Sequence, residues 1–298
     1  MVIDWGTSSF RGWLMSTNGA MLAESRGGEG MLHCIDAGFA PVLRDHLVRL
    51  GATEETPVLI CGMAGARQGW VEAPYLRTPT RLEALHEGAI RIDAAADIRI
   101  LPGIAQAKPE RPDVMRGEET QLLGVTEPDF TGYVCIPGTH SKWITIEAGH
   151  VVEFSTYMTG ELYSVISQNS ILNHAIDATD QGAEDGEPFH EGLSRALATP
   201  TALTASLFRL RASQLLGFEQ RADGAARLSG LLIGTEIADV IQRHGSLQSV
   251  RLIAAGALGR LYAAALTARG LDVTKLDAEQ ASRRGLCKAA GRIWGTQH

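Results

Sequence analysis

The stretch VIDWGTSSFRGWL, residues 2 to 14, ends a short apolar run on a carboxylate and follows it with small residues. Asp4 could simply stop a strand, since Asp bonds the backbone N–H groups of turns. It could also anchor Mg²⁺, with Gly6, Thr7 and Ser8 offering N–H and hydroxyl donors to a phosphate. A second stretch supports the chemical reading. YVCIPGTHSKWITIEAGHVVEFST, residues 133 to 156, repeats the pattern: an apolar strand, a Gly-Thr-x-Ser turn, a basic residue, and two strands joined near Ala148-Gly149. Gly138, Thr139 and Ser141 align with Gly6, Thr7 and Ser9, and Lys142 falls near Arg11. Two phosphate-cradling hairpins in separate halves imply two similar lobes closing on one polyphosphate, with Mg²⁺ held by Asp4 partly through water.

The elements that must position these residues alternate. FRGWLMS and AMLAES read as strands joined at Asn18-Gly19, a pair suited to a hairpin turn. DAGFAPVLRDHLVRLG predicts one helix, with Asp36 as N-cap, Phe39, Leu43, Leu47 and Leu50 on one face, and Gly51 as its stop. PVLICGMAG is a buried strand entering a glycine turn, and residues 67 to 81, which have no clear period, read as a loop at the cleft. Helical patterns follow near 160–172, 187–216 and 225–243. VRLIAAGALGRLYAAAL is then strand, turn and helix, and Gly256 and Gly259 would let backbone approach an adenosine closely. The pattern is that of an α/β sheet covered by helices.

At 298 residues, 45% hydrophobic and 20% charged, the chain fits a soluble globular protein of one large domain or two ordinary ones. A net charge of −7 argues against nucleic-acid and anionic-membrane partners, which need a concentrated basic surface. Cys34, Cys61, Cys135 and Cys287 are far apart, so neither a zinc site nor a disulfide framework is suggested. No apolar run approaches a bilayer-spanning length and no secretory leader is evident, so a cytoplasmic location is expected. Oligomeric state is not legible in the sequence, and a homodimer is one option.

DWGTSSFRGWL, CGMAGARQGWVEAPY, LPGIAQ, PDVMRGEETQLLG, IPGTHSKW, YMTGELYSVISQNSIL and LDAEQASRRGL together resemble the 2-dehydro-3-deoxygalactonokinase family, within the actin, hexokinase and Hsp70 superfamily. The resemblance implies an α/β fold of two ribonuclease-H-like lobes with a central cleft, the actin-like ATPase and sugar-kinase architecture. The expected division is 1–128 for the first lobe, joined by a closing helix at 278–298, and 129–277 for the second. It also implies ATP and Mg²⁺ as cofactors and phosphorylation of 2-dehydro-3-deoxy-D-galactonate at its 6-hydroxyl.

The chain departs from many superfamily members by carrying Ile136-Pro137 where they have an Asp before the second turn. The base is therefore sought at Glu118 and Glu119, which follow Gly117 where a helix should begin and where the helix dipole would keep them ionised. Such acids can also serve only the dipole. Arg67 is the first candidate for the substrate's carboxylate and Arg116 the second, because an Arg fork matches a carboxylate. Met158, Thr159 and Glu161 could meet sugar hydroxyls, with Thr159 as a plain N-cap the alternative. Competing functions are an exopolyphosphatase-like phosphohydrolase, a kinase for an epimeric sugar acid, and a regulatory ATP-binding protein.

Overall fold

The computed structural model describes residues 1–176, 185–245 and 247–295. It comprises two compact units, the first formed by Met1–Thr131, Thr145–Phe154 and the segment from Ala278 onward, the second by Gly132–Ile144 and Ser155–Asp277.

The first unit opens on the meander β1 (Val2–Trp5), β2 (Phe10–Met15) and β3 (Met21–Gly27), followed by α1 (Met31–Ala37), α2 (Phe39–Arg49) and β4 (Val58–Gly62). It continues through β5 (Tyr75–Arg77), β6 (Thr80–Arg81), β7 (Ile90–Arg91), β8 (Ile98–Ile100), β9 (Gly103–Gln106), β10 (Asp113–Met115) and α3 (Glu118–Val125). The main sheet has the order β3-β2-β1-β4-β8-β7, with β1 antiparallel to β2 and parallel to β4. β4 is buried along its whole length, as befits a central strand covered on both faces. Ile3, Trp5, Phe10, Leu43, Ile60 and Ile100 belong to the core of this unit.

The second unit repeats the arrangement with β11 (Gly132–Ile136), the start of β12 (Ser141–Glu147) and the end of β13 (His150–Tyr157), the stretch Thr145–Phe154 of these two strands belonging to the first unit. There follow α4 (Thr159–Asn169), α5 (Glu187–Ala198), α6 (Leu203–Leu215), α7 (Arg221–Arg243), β14 (Ser249–Ala254), α8 (Gly256–Ala268) and β15 (Asp272–Asp277). The sheet holding these strands has the order β15-β14-β11-β12-β13-β6, and β11 is parallel to β14 as β1 is to β4. Each unit thus holds an antiparallel meander whose first strand continues into parallel strands. The first residues of β13, His150 and Val151, pair with Arg81 and Thr80 of β6. The closing helix α9 (Ala278–Trp294) belongs to the first unit, and residues 296–298 of the expected helix lie outside the described residues.

Three local expectations need correction. Asp36 is not an N-cap: it lies inside α1, and the chain breaks at Gly38, whose φ of 82° ends one helix and admits the next. Residues 67 to 81 are not simply a loop. They contain β5 and β6, and β5 joins a small sheet of order β10-β9-β5. The helical pattern at 187–216 is two helices, divided near Pro200, whose missing N–H cannot continue the ladder. Among the described residues no helix is long and apolar enough to cross a membrane.

Candidate active site

In the first unit, Asp4 stands near the end of β1, opposite Arg11 on β2 and level with Cys61 on β4. Ser282 Oγ, from α9, donates to Asp4 Oδ2 at 2.9 Å, and Gln121 Nε2 donates to Ser282 Oγ at 3.3 Å. Burial pushes the Asp4 carboxyl above its usual range; Ser282 and the Arg11 charge oppose this, while the negative charges of Glu118 and Glu279 add to it. Two glycines keep backbone close and side chains away. Gly62, at φ 91°, has no room for a Cβ, which would meet Trp5 O at 2.7 Å and sit 3.6 Å from Asp4 Oδ1. Gly117, at φ 107°, faces the Cα of Gly62.

The turn after Asp4 closes through Gly6 N–H donating to Ser9 O at 2.9 Å, and it leaves Thr7 and Ser8 exposed. The start of α1 holds it from behind, through Met31 N–H to Gly6 O and Leu32 N–H to Thr7 O at 2.9 and 3.0 Å. Gly30 is needed there, because a Cβ would fall 2.4 Å from Ser9 N.

Glu118 and Glu119 start α3 but differ in surroundings. Glu118 is half-buried and accepts from Arg116 N–H at 3.0 Å. Glu119 is 1% exposed, and both its oxygens take the Gly117 N–H, at 2.9 and 2.8 Å. Its carboxyl is pushed up to about 8, first by burial and then by the charge of Glu118. The expectation that the helix start keeps this pair ionised is therefore corrected for Glu119: desolvation outweighs the N–H groups and the dipole.

The two candidate arginines also separate. Arg67 is exposed and paired with Glu72 at 3.5 Å. Arg116 stacks over the Tyr75 ring at 4.3 Å and donates from Nη2 to Ala73 O at 2.8 Å. Its Nε and Nη1 are buried without a hydrogen-bond partner among the described residues.

A magnesium ion is tested by the donor set at Asp4. Among the described residues no group of three or more His, Cys, Asp or Glu could hold a metal. One carboxylate with like charges around it does suit an ion that keeps much of its water and shares phosphate oxygens. Asp4 fits Mg²⁺ on those terms.

In the second unit, Gly138 and Thr139 form the turn after β11, with Thr139 exposed. The start of α4 lies directly against it: a Cβ on Gly160 would come within 2.4 Å of Gly138 O, and Glu161 N–H donates to Thr139 O at 3.0 Å. Glu161 also bonds His140 Nε2, and Met158 is exposed. Three expected donors are sequestered instead. Ser141 is fully buried with its hydroxyl on Tyr262 at 2.7 Å, and Thr159 is buried with its hydroxyl donating to Glu236. Lys142 is 5% exposed, so it is not a surface strand residue. Thr159 is not a cap either, since α4 begins after Met158 without a side-chain bond. Gly256, at φ 63°, opens α8 with free space around it, and Gly259 packs against Ala254.

Sequence reasoning missed Gly62, Ser282, Tyr262 and Glu236. Gly62 carried a signal, as the glycine ending an apolar strand in VLICG. The other three are helix residues whose relevance comes from contacts far away in the chain.

A family model described as 2-keto-3-deoxy-galactonokinase matches residues 4–289. The chain is 48% identical over 295 residues to a Rhizobium meliloti (strain 1021) protein named "Probable 2-dehydro-3-deoxygalactonokinase", covering 98% of this chain and 96% of that one. It is 32% identical over 293 residues to the 2-dehydro-3-deoxygalactonokinase of Escherichia coli (strain K12), covering 98% of each. A crystal structure from Sinorhizobium meliloti bearing the same enzyme name superimposes with a TM-score of 0.95 at 47% identity, covering 98% of both chains. The activator of 2-hydroxyisocaproyl-CoA dehydratase from Clostridium difficile shares the fold at a TM-score of 0.51 and 11% identity, covering 99% of this chain and 97% of that one.

Proposed function

Because the chain belongs to the 2-keto-3-deoxy-galactonokinase family, with its family match running from Asp4 across both Gly-Thr turns, we propose that it transfers the γ-phosphoryl group of ATP to the 6-hydroxyl of 2-dehydro-3-deoxy-D-galactonate. The observation that carries this reading is the family match over residues 4–289. The repeated meander supports it, since each unit offers one Gly-Thr turn on equivalent strands.

Glu118 is the proposed general base. It is the more open of the two carboxylates, and it would take the proton of the sugar hydroxyl as that oxygen bonds to phosphorus and the bond to the ADP oxygen breaks. Glu119 serves beneath it by holding Gly117 N–H and the start of α3. Asp4 would hold Mg²⁺, which when bound offsets charge on the phosphates. Phosphate donors are the backbone and hydroxyls of Gly6, Thr7, Ser8, Gly138 and Thr139, with Arg11 near the first turn. Gly256 and Gly259 would accommodate the adenosine. Arg116 is the better supported partner for the substrate's carboxylate, since it is fixed by Ala73 and Tyr75 and retains two unpaired donors.

The test is incubation with ATP, Mg²⁺ and a panel of 2-keto-3-deoxy sugar acids, following ADP and sugar phosphate together. The galactonate epimer should give the highest kcat/KM. Asp4→Asn should retain its Tm within a few degrees and lose about 100-fold or more in kcat, as the metal loses its charged anchor. ADP without sugar phosphate would identify a phosphohydrolase instead.

A further inference from the structure

Glu236, on α7, is a carboxylate that takes no part in the reaction as described, yet donors from three other elements converge on it. It is 3% exposed and accepts from Trp143 Nε1 of β12 at 2.7 Å, from Tyr262 Oη of α8 at 2.7 Å, and from Thr159 Oγ1 of α4. Burial pushes the Glu236 carboxyl above its usual range, and the donors from Thr159, Trp143 and Tyr262 oppose this. With the Tyr262 hydrogen given to Glu236, the Tyr262 oxygen accepts from Ser141. Burial holds the Tyr262 phenol well above its usual range, so it stays a donor.

The residues tied in this way flank one contact. Ser141 and Trp143 follow the Gly138–Thr139 turn directly, and Thr159 precedes Gly160, whose backbone lies against Gly138 O and Thr139 Cα. Both sides of the turn's packing against α4 therefore depend on the same carboxyl group. A buried carboxylate is costly unless its oxygens are met by donors, so replacing this one by an apolar residue would leave Trp143, Thr159 and Tyr262 seeking partners. The packing of α7 alone does not require a charged group at this position, as its other buried residues are apolar or small.

We propose that Glu236 is a positioning residue for the nucleotide: through Ser141, Trp143 and Thr159 it fixes the Gly138–Thr139 turn against α4 and so aims the turn's N–H groups at the phosphates. This rests on the reading that the turn cradles the phosphates of ATP. A merely structural role would lower stability without discriminating between the two substrates.

The test uses the full chain carrying Glu236→Gln. The amide carbonyl can still meet Trp143 Nε1, which can only donate, so the NH2 group faces the Thr159 and Tyr262 hydroxyls and reverses their hydrogen bonds. ADP affinity by calorimetry and KM for ATP should each weaken about ten-fold, as charge-assisted hydrogen bonds become neutral ones and hold the turn less firmly, while KM for the sugar acid stays within about two-fold. Tyr262→Phe removes one donor from Glu236 and with it the link to Ser141, leaves Trp143 and Thr159 on the carboxylate, and should shift ADP affinity in the same direction by less. The double variant should fall short of the sum of the two. Unchanged ADP affinity in a folded Glu236→Gln, or an equal KM rise for both substrates, would overturn the proposal. If Glu236→Gln does not fold, Tyr262→Phe decides by the same criteria. Wild-type protein that binds ADP but forms no sugar phosphate would remove the kinase reading and leave the ADP measurements as the test of Glu236. Wild-type protein that binds no ADP would remove both.

Discussion

Glu118 and Glu119 are adjacent in the chain, yet one is half-open and the other almost fully enclosed, so substitutions at the two should report different things. Glu119 has a folded pKa of about 8 against an ordinary value of 4.5. A carboxyl with a raised folded pKa keeps its proton longer in the folded chain. Its contribution is therefore whole below the unfolded value and is lost as pH rises through the folded one. Glu119→Gln stays neutral and keeps an acceptor for Gly117 N–H. Its Tm should match the wild type near pH 4.5 and exceed it at pH 8 to 9, by several degrees in thermal scans. A Tm difference that does not vary with pH would show that Glu119 does not titrate in this window. Glu118→Gln should instead cost kcat about 100-fold or more with little effect on Tm. The arginines divide in the same way. Arg116→Lys keeps charge and loses the fork, so KM for the sugar acid should rise about ten-fold or more, while a neutral analogue without the carboxylate is barely affected. Arg67→Ala should change neither, since its ion pair with Glu72 is exposed.

Among the elements, the crossing of α3 and α9 bears most directly on catalysis. Gly124 and Gly285 meet there: a Cβ on Gly285 would lie 1.8 Å from Thr120 O, and one on Gly124 would lie 2.0 Å from Ala281 O. Those oxygens are backbone and cannot step aside. α3 carries Glu118 and α9 carries Ser282, the donor to Asp4, so separating the helices would disturb both carboxylates. Gly285→Ala should cost about 1–3 kcal/mol from overpacking, even though Ala favours helix, and should lower kcat about ten-fold. Gly245→Ala, with open space around it, is the control and should leave Tm and kcat unchanged. The family resemblance announces α9 but not this crossing, since a helix glycine read alone looks only like a weak helix former. Gly38 was likewise easy to pass over, because Phe39, Leu43, Leu47 and Leu50 keep one period past it and hide the break before them.

At the scale of the whole molecule, the repeat was the legible part. The Gly-Thr turns and the two hairpins are local in sequence, and local chemistry of this kind survives being read without coordinates. The family motifs bring Asp4, the Glu118-Glu119 pair and the two arginines forward as candidates, with Arg67 ranked ahead of Arg116. What remained hidden depends on distant partners: Ser282 meets Asp4 from 278 residues away in the chain, and Tyr262 reaches Ser141 from 121. Burial was hidden with it, which is why Ser141, Lys142 and Thr159 read as donors when two of their hydroxyls are already engaged and the lysine is enclosed.

The placement of α9 also has a consequence for synthesis. The second unit draws on residues no later than Asp277, whereas the first needs the segment that follows it to pack α3 and to support Asp4. As the chain leaves the ribosome, the half translated first must wait for the half translated second before its own core can close. Nascent chains halted between these points would present β1, β4 and α3 with one side uncovered, and that interval is when this protein would most need a chaperone.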